Sequence, residues 1–289
     1  MTIASTTSEE HDLAGARCAA YSLIALGFRY PDREWLSSLC EPTRWRTCPE
    51  HLADALDGAS GHFPALRTVI DNLEQSGLEP LQEQFAALFG HSVRGACPPY
   101  ELEFGRSEII QRSADLADIS GFYAAFGLEL SGIINERADH ISVEAEFLAV
   151  LCAKEALGIE RENRDLVASV RHAQRLFLQS HLGRWLPAFS RRVLETSPGD
   201  FYAPLAEFAR DFVAGECQRL GVSLGSPCLQ LRPVDPIQEA AQSCGVPGEC
   251  TAVSTTDEGV RTSPGEPCER GRVGEQFTQL NVALGSHGR

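Results

Sequence analysis

The sequence is poor in positive charge. It has 25 Lys and Arg against 40 Asp and Glu, a formal net charge of -15, and Lys154 is the only lysine. Nucleic-acid binding depends on Lys and Arg side chains that neutralise phosphates, so an acidic chain is a poor candidate for that class. The charge is instead compatible with a basic protein partner. We therefore expect no nucleic-acid partner.

Long apolar runs are also missing. No stretch approaches the roughly 18–20 consecutive apolar residues that span a bilayer. The first residues, MTIASTTSEEHD, have neither the basic start nor the apolar middle of a secretory signal. From these two observations we predict no membrane insertion and a cytoplasmic location.

Several motifs of enzymes and cofactor-binding proteins are absent too. The sequence contains no Walker loop, no Gly-x-Gly-x-x-Gly and no His-Glu-x-x-His. A di-iron bundle site would need two Glu-x-x-His motifs on separate helices plus two further glutamates, and that set is missing as well. We predict no catalytic residues, no bound metal and no cofactor.

The ten cysteines do not form a recognisable framework. Those in helical-looking sequence are interpreted as small, buried hydrophobic residues: Cys18, Cys40, Cys48, Cys97 and Cys152. The five cysteines after residue 216 lack the tight Cys-x2-Cys pairs of zinc and iron–sulfur sites: Cys217, Cys228, Cys244, Cys250 and Cys268. A redox role for these free thiols stays open as an alternative.

Apolar residues recur at helical spacing along most of the chain. We expect helices at 11–30, 32–39, 49–57, 62–76, 79–90, 106–127, 140–157, 162–180, 184–196 and 200–220. Asp32 is a suitable N-cap for the second helix, and Gly221 a suitable residue to end the last one. No strand-like alternation or Asn-Gly hairpin signal is evident. The fold class predicted is all-α, a single-domain bundle of about ten helices over residues 11–222, preceded by a flexible N-terminus at 1–10.

The composition changes after about residue 222. Segments such as SLGSPCLQLRPVDP and TTDEGVRTSPGEPCERGR are rich in Gly, Pro, Ser and Thr and have few large apolar side chains. Such segments bury too little surface to offset the entropy lost on ordering. Residues 223–289 are therefore predicted to be a mostly disordered tail.

Two stretches combine unusual residue types. ACPPYELEFG (96–105) places tandem prolines, which cannot continue a helix, beside aromatic and acidic side chains. In DHISVEAE (139–146), His140 and Glu144 are four apart and share a helix face. This second pattern fits a helix start with Asp139 as N-cap and His140 paired with Glu144, a binding surface or a metal site. A small helical metal-dependent hydrolase or oxygenase centred on His140, Glu144 and Glu146 is accordingly the alternative function.

Taken in order, these segments resemble a known family. YSLIALGFRYPDREWLSSL is similar to its opening helix, and LQEQFAALFG followed by CPPYELEFG is similar to its Leu-Phe … Pro-Pro-Tyr-Glu signature. DISGFYAAFGLEL, ERADHISVEAEFLAV and DFYAPLAEFARDFV resemble later segments, although Ala138 stands where the family often has proline. Over residues 13–220 the chain resembles the TorD/DmsD/NarJ family of cytoplasmic maturation chaperones for molybdoenzymes.

The resemblance implies an all-helical protein without catalytic machinery. Family members bind the twin-arginine signal peptide and the body of a molybdenum-containing catalytic subunit of the DMSO reductase family, and they hold it in the cytoplasm until its cofactor is inserted. A receptor for such a leader needs an apolar groove with carboxylates near one end. The positions that we expect to form this groove and its acidic rim are Phe89, Pro99, Tyr100, Glu101, Glu103, Asp139, His140 and Glu144.

Overall fold

The computed structural model describes residues 2–40, 62–90, 95–105, 109–131, 136–197, 199, 201–233 and 280–282. Within these ranges the chain forms nine α-helices, one 3-10 turn and two short strands. The helices are α1 Thr2–Gly27, α2 Arg33–Cys40, α3 Phe63–Ser76, α4 Leu78–Phe89, α5 Ile109–Ala125, α6 Ile141–Glu160, α7 Arg164–Ser180, α8 Leu182–Thr196 and α9 Tyr202–Leu220. The 3-10 turn is Glu101–Glu103, and the strands are β1 Leu128–Leu130 and β2 Leu280–Val282. The all-α prediction is confirmed; the helix predicted at 49–57 lies outside the described residues.

The helix caps predicted at Asp32 and Gly221 are present. The Asp32 carboxylate accepts a hydrogen bond of 2.7 Å from the backbone N–H of Trp35, in the first turn of α2. Gly221 ends α9 in the left-handed conformation, with φ 64°. The first helix differs from the prediction, because it begins at Thr2 rather than near residue 11. Its polar first turns have no apolar periodicity to reveal them, and one of their side chains, Glu10, forms an ion pair of 3.2 Å with Arg171 on α7.

Helix α6 lies at the centre of the bundle. It packs most extensively along α1 and also contacts α7 and α8. Nearly all side chains of its first three turns are buried, whatever direction they face. A helix surrounded on all sides shows no amphipathic stripe. The aromatic side chains of residues 183–189 are buried, with Trp185 and Phe189 at 0% exposure.

A network of buried charges joins four helices. Arg17 on α1 donates from Nε to both carboxylate oxygens of Glu216 on α9, each at 2.9 Å. Its Nη1 donates to Glu155 on α6 at 2.8 Å, and its Nη2 to Gln174 on α7 at 2.7 Å. Burial opposes ionisation of Glu155, but Arg17, Arg171 and Gln174 outweigh it and hold the pKa of Glu155 at about 2. The network therefore fixes the relative positions of α1, α6, α7 and α9.

The two strands form a small antiparallel sheet. Leu128 lies opposite Val282, and Leu130 lies opposite Leu280. Strands of three residues are too short to display an alternating pattern, so nothing in the sequence indicated them. In the part of the chain that is described, no helix combines the length and apolar content needed to cross a bilayer.

Replacing Arg17 with methionine should strongly destabilise the fold. The change would leave Glu155 and Glu216 buried without their shared counter-charge, which we expect to lower the free energy of unfolding by about 3–5 kcal/mol. Arg67→Ala is the matched control, because the ion pair of Arg67 with Asp71 is long, at 3.7 Å, and exposed. Urea unfolding followed by circular dichroism measures both. Equal midpoints for the two variants would contradict a structural role for the network.

Candidate functional site

The two stretches singled out from the sequence lie side by side. The N–H of Ile141 donates to the carbonyl of Pro99, and the N–H of Glu101 donates to the carbonyl of Asp139, both at 2.9 Å. Between these bonds, Tyr100 and His140 form an isolated antiparallel bridge. We call residues 98–104 and 136–141 together the loop junction. Because both pieces are extended and paired through the backbone, each holds the other in position.

Asp139 is the central side chain of the loop junction. Its carboxylate accepts a hydrogen bond of 3.1 Å from the N–H of Leu102 and so caps the 3-10 turn. Arg137 binds the same carboxylate through two hydrogen bonds of 2.9 and 2.7 Å. Burial raises the pKa of Asp139, while Arg137 acts in the opposite direction. Asp139 thus joins the two stretches instead of capping α6.

His140 caps α6 in its place. Its Nδ1 accepts a hydrogen bond of 3.2 Å from the backbone N–H of Ser142, which leaves the ring proton on Nε2. Burial, together with the charge of Arg137, lowers the pKa of His140 to about 3. The ring packs edge-on against Tyr100, with centroids 5.1 Å apart. His140 is therefore a neutral side chain that caps the start of α6 and packs against the ring of Tyr100.

Glu101 and Glu144 form a second buried group. Glu101 accepts from Arg184 at 2.6 Å and lies 3.0 Å from Nδ1 of His181. Burial disfavours its charge, but His181 and Arg184 outweigh this effect and lower the pKa of Glu101. Glu144 accepts a hydrogen bond of 3.1 Å from the indole of Trp185. Burial and the neighbouring Glu101 raise the pKa of Glu144 well above its usual range, whereas the pKa of Glu101 is lowered.

Glu103 is surrounded by guanidinium groups. Arg112 lies 2.9 Å from its carboxylate, Arg137 3.5 Å and Arg232 3.4 Å. Arg112 comes from α5, Arg137 from the loop junction and Arg232 from the segment after α9. This one carboxylate therefore connects three parts of the chain.

The structure brings the predicted site residues together but turns most of them inward. Among the eight, Tyr100 is half-buried, and the others are buried: Phe89, Pro99, Glu101, Glu103, Asp139, His140 and Glu144. Phe89 packs among Phe28, Phe189 and Tyr202. The expectation that the carboxylates form a free acidic rim is not met. A buried carboxylate needs a counter-charge, and the chain's own arginines supply it.

The metal-site alternative finds no support in this geometry. His140 uses its Nδ1 as a helix cap, and Glu144 is bound by Trp185. Nowhere in the described ranges do three or more His, Cys, Asp or Glu side chains form a group that could hold a metal ion. Of the tail cysteines, Cys217 is buried and Cys228 is exposed; the others lie outside the described residues.

The stretch GVSLG at 221–225 has the spacing of a serine nucleophile motif. That motif depends on a sharp turn between a strand and a following helix. Here Gly221 ends α9, and the chain continues without helical structure. The glycines consequently serve the end of a helix and a close backbone approach, not a nucleophile.

The outward side of the loop junction is aromatic. The hydroxyl of Tyr100 donates to Glu136 at 3.2 Å, and the guanidinium of Arg137 stacks over the ring at 4.6 Å. Arg29, two residues after the end of α1, favours the charged form of Glu136. The next residue, Tyr30, is 49% exposed, and its ring lies 5.4 Å from Phe85. We call Tyr30, Phe85, Tyr100 and Glu136 the junction face.

Sequence reasoning missed most of the junction face and most partners of the buried carboxylates. Glu136 and Arg137 stand directly before the Ala-Asp-His stretch, and Tyr30 stands directly before Pro31. Their closeness in sequence to these motifs is the one feature from which they could have been predicted as site residues. His181, Arg184 and Arg232 carry no such signal. They lie about 80 or more residues from the carboxylates that they bind.

Comparisons with known proteins agree on one family. A family model described as "Nitrate reductase delta subunit" matches residues 53–191. The chain is 36% identical over 144 residues to the selenate reductase assembly chaperone protein of Thauera selenatis, covering 50% of this chain and 72% of that protein. It is 28% identical over 221 residues to the perchlorate reductase assembly chaperone protein of Dechloromonas aromatica (strain RCB), covering 75% of this chain and 96% of that protein. It is 27% identical over 183 residues to the chaperone protein TorD of Vibrio cholerae serotype O1 (strain ATCC 39315 / El Tor Inaba N16961), covering 63% of this chain and 75% of that protein.

The neutral state of His140 should make stability sensitive to acid. The unfolded chain binds a proton at the ordinary pKa of 6.5, whereas folded His140 does so at about 3. Its contribution to stability is therefore fully present above pH 6.5 and is lost as the pH falls towards 3. His140→Asn keeps an N-cap acceptor that does not titrate. As the pH falls through this window, the free energy of unfolding of the variant should therefore decrease less than that of wild type, by up to about 1.4 kcal/mol per pH unit.

Urea unfolding at several pH values between the two pKa values measures this slope. His172→Asn, on the exposed side of α7, is the matched control and should follow the wild-type slope. A His140→Asn variant with the same slope as wild type would show that folded His140 is not held neutral.

Proposed function

Because the chain belongs to the TorD family of molybdoenzyme maturation chaperones and not to a family of enzymes, we propose that it binds the immature catalytic subunit of an exported molybdenum-containing oxidoreductase of the DMSO reductase family. It holds this subunit, together with its twin-arginine leader, in the cytoplasm until the molybdenum cofactor is inserted. The relatives support a reductase partner, since two of them are named for the assembly of selenate and perchlorate reductases.

The junction face has the chemistry that a twin-arginine leader requires. Such a leader has a basic start followed by an apolar stretch. Tyr30, Phe85 and Tyr100 offer aromatic surface to the apolar stretch, and Glu136 offers a carboxylate to an arginine. The single observation that carries the proposal is the contact between the half-buried Tyr100 ring and the half-buried Glu136 carboxylate at the loop junction.

The electrostatic state of Glu136 favours an incoming cation. Burial raises the pKa of Glu136, although the Tyr100 hydroxyl, Arg137 and Arg29 act in the opposite direction. Its charged form is therefore incompletely compensated in the free protein. A leader guanidinium bound there would stabilise the carboxylate, and its flat shape also suits stacking on an aromatic ring.

The buried residues predicted from the sequence act as positioning residues in this proposal. Asp139 and His140 hold Tyr100 in place through the backbone bridge and the ring contact. Glu101 anchors the same segment to α8 through Arg184, and Glu144 on α6 accepts a hydrogen bond from Trp185 on α8. Pro99 pairs with Ile141 through the backbone, Phe89 packs in the core beside Phe85, and Glu103 binds Arg137. Substituting Phe89, Pro99, Asp139 or His140 would change the shape of the junction face rather than remove a direct contact.

Glu136→Gln should weaken leader binding by about tenfold or more, because a charge-assisted hydrogen bond becomes a neutral one. Titration calorimetry with a synthetic peptide that carries two adjacent arginines before an apolar stretch measures the dissociation constant. Glu129→Gln, which alters an exposed carboxylate on β1, is the matched control and should bind like wild type. A peptide with two lysines in place of the arginines should bind more weakly to all three proteins.

Two outcomes would contradict these statements separately. If the wild-type protein ignores the arginine peptide, leader binding is refuted, and capture of the immature catalytic subunit from the native cytoplasm then tests the chaperone function alone. If wild type binds but Glu136→Gln binds equally well, the leader lies elsewhere on the surface.

A further inference from the structure

The segment after α9 folds back onto the loop junction. We call residues 222–233 the strap. The N–H of Gly225 donates to the carbonyl of Gly183 on α8 at 2.9 Å. Further along, the N–H of Gly105 donates to the backbone carbonyl of Gln230 at 2.8 Å, and the backbone N–H of Arg232 donates to the backbone carbonyl of Glu103 at 2.9 Å. The strap thereby adds a short antiparallel strand to the outer edge of residues 103–105.

The side chains of the strap follow an apolar-and-basic pattern. Leu229 and Leu231 pack against the edge of the core, and Leu231 bridges Phe104. The guanidinium of Arg232 lies 3.4 Å from Glu103 and is only 9% exposed. An extended segment with apolar residues beside an arginine thus already occupies the site. The twin-arginine leader proposed above has the same chemical character.

The strap satisfies its site only partly. Within the described ranges, the buried Nε of Arg232 has no hydrogen-bond partner, and the contact to Glu103 is long. Arg112 and Arg137 share the same carboxylate, and the pKa of Arg112 is lowered by burial first and then by the charges of Arg232 and Arg137. A buried donor left unsatisfied and mutual repulsion among cations both cost free energy. The strap is therefore bound in a way that a better-fitting segment could improve on.

We propose that the strap is an internal substitute for the leader, and that an arginine-bearing segment of the leader displaces residues 229–232 when the partner binds. The proposal rests on the leader binding proposed above and adds a second arginine site to it. The displacing segment takes over the N–H of Gly105, the carbonyl of Glu103 and the Glu103 carboxylate. One arginine then pairs with Glu103 and the other with Glu136, on either side of Arg137.

The short connection to α9 gives the strap a competitive advantage. A segment tethered by about ten residues has an effective concentration on the order of millimolar, so even weak contacts keep the site occupied. The same C-terminal region also supplies β2, which adds a strand to β1 just before the loop junction. Both contacts close an edge that would otherwise accept a foreign strand. Occupancy by the strap consequently raises the affinity that a leader must reach.

Gly225 provides a way to loosen the strap without altering Glu103 or Arg232. A Cβ atom at this position would lie 1.9 Å from the carbonyl oxygen of Arg184, a distance that no side chain tolerates. Gly225→Ala must therefore move the strap away from α8. Gly215→Ala is the matched control, because a Cβ there meets nothing within 4 Å and the position is inside α9. Arg232→Ala removes the guanidinium by a second route that introduces no clash.

The test is calorimetric titration of the full-length proteins with the double-arginine peptide. Gly225→Ala should bind the peptide more tightly than wild type, by on the order of tenfold, because the tethered competitor is loosened. Arg232→Ala should also bind more tightly, and Gly215→Ala should match wild type. In wild type, amide hydrogen exchange adds an independent readout: on peptide binding, the Arg232 amide should lose protection while the Gly105 amide keeps it.

The possible results separate the two proposals. If wild type binds the peptide, its Arg232 amide stays protected and the variants bind with wild-type affinity, the strap is not displaced and the proposed leader binding stands. If none of the four proteins binds the peptide, leader binding and the strap proposal are both overturned. If only the two loosened variants bind, the strap is confirmed as the competitor.

Discussion

Carboxylates buried inside a helical bundle impose the constraint on which this structure depends. Removing a carboxylate from water is costly unless a counter-charge and hydrogen bonds replace the water. Arg17 meets that requirement for Glu155 and Glu216, and Arg137 meets it for Asp139. Each pairing admits few geometries, because a guanidinium fork fits a carboxylate in a defined orientation. The charges therefore select one arrangement of the helices and one register between the two halves of the loop junction.

The same constraint shapes the proposed binding surface. The buried carboxylates are neutralised by the chain's own arginines, so our proposal assigns recognition of the leader to the groups at the outer side of the loop junction. Tyr100 has both roles, since its backbone and ring face inward to His140 while its hydroxyl reaches Glu136. Glu103 is a buried carboxylate that the strap neutralises in part through Arg232. In our proposal it also receives an arginine of the leader. In our proposal, this arrangement combines a fixed frame with one replaceable contact.

Sequence patterns predicted the helical architecture well and the central helix less directly. Asp32 and Gly221 mark helix ends through local chemistry, and both are found as expected. The start of α1 was misplaced, because its first turns are polar and are held by contacts such as that of Glu10 with Arg171. Strand β1 was missed because three residues carry no period. The family resemblance correctly paired the two site stretches, but the acidic rim that it suggested is buried.

The sequence by itself determined the fold class, the helix caps and the two stretches that meet at the loop junction. These features depend on residues close together in the chain, where propensity and spacing act directly. Only the tertiary structure decided which way the carboxylates face, since their partners lie far away in sequence: Glu101 with Arg184, and Glu103 with Arg232. The sequence does not show whether a charged side chain contacts water, a ligand or another residue of the same chain. Burial distinguishes these cases, and burial is a property of the assembled fold.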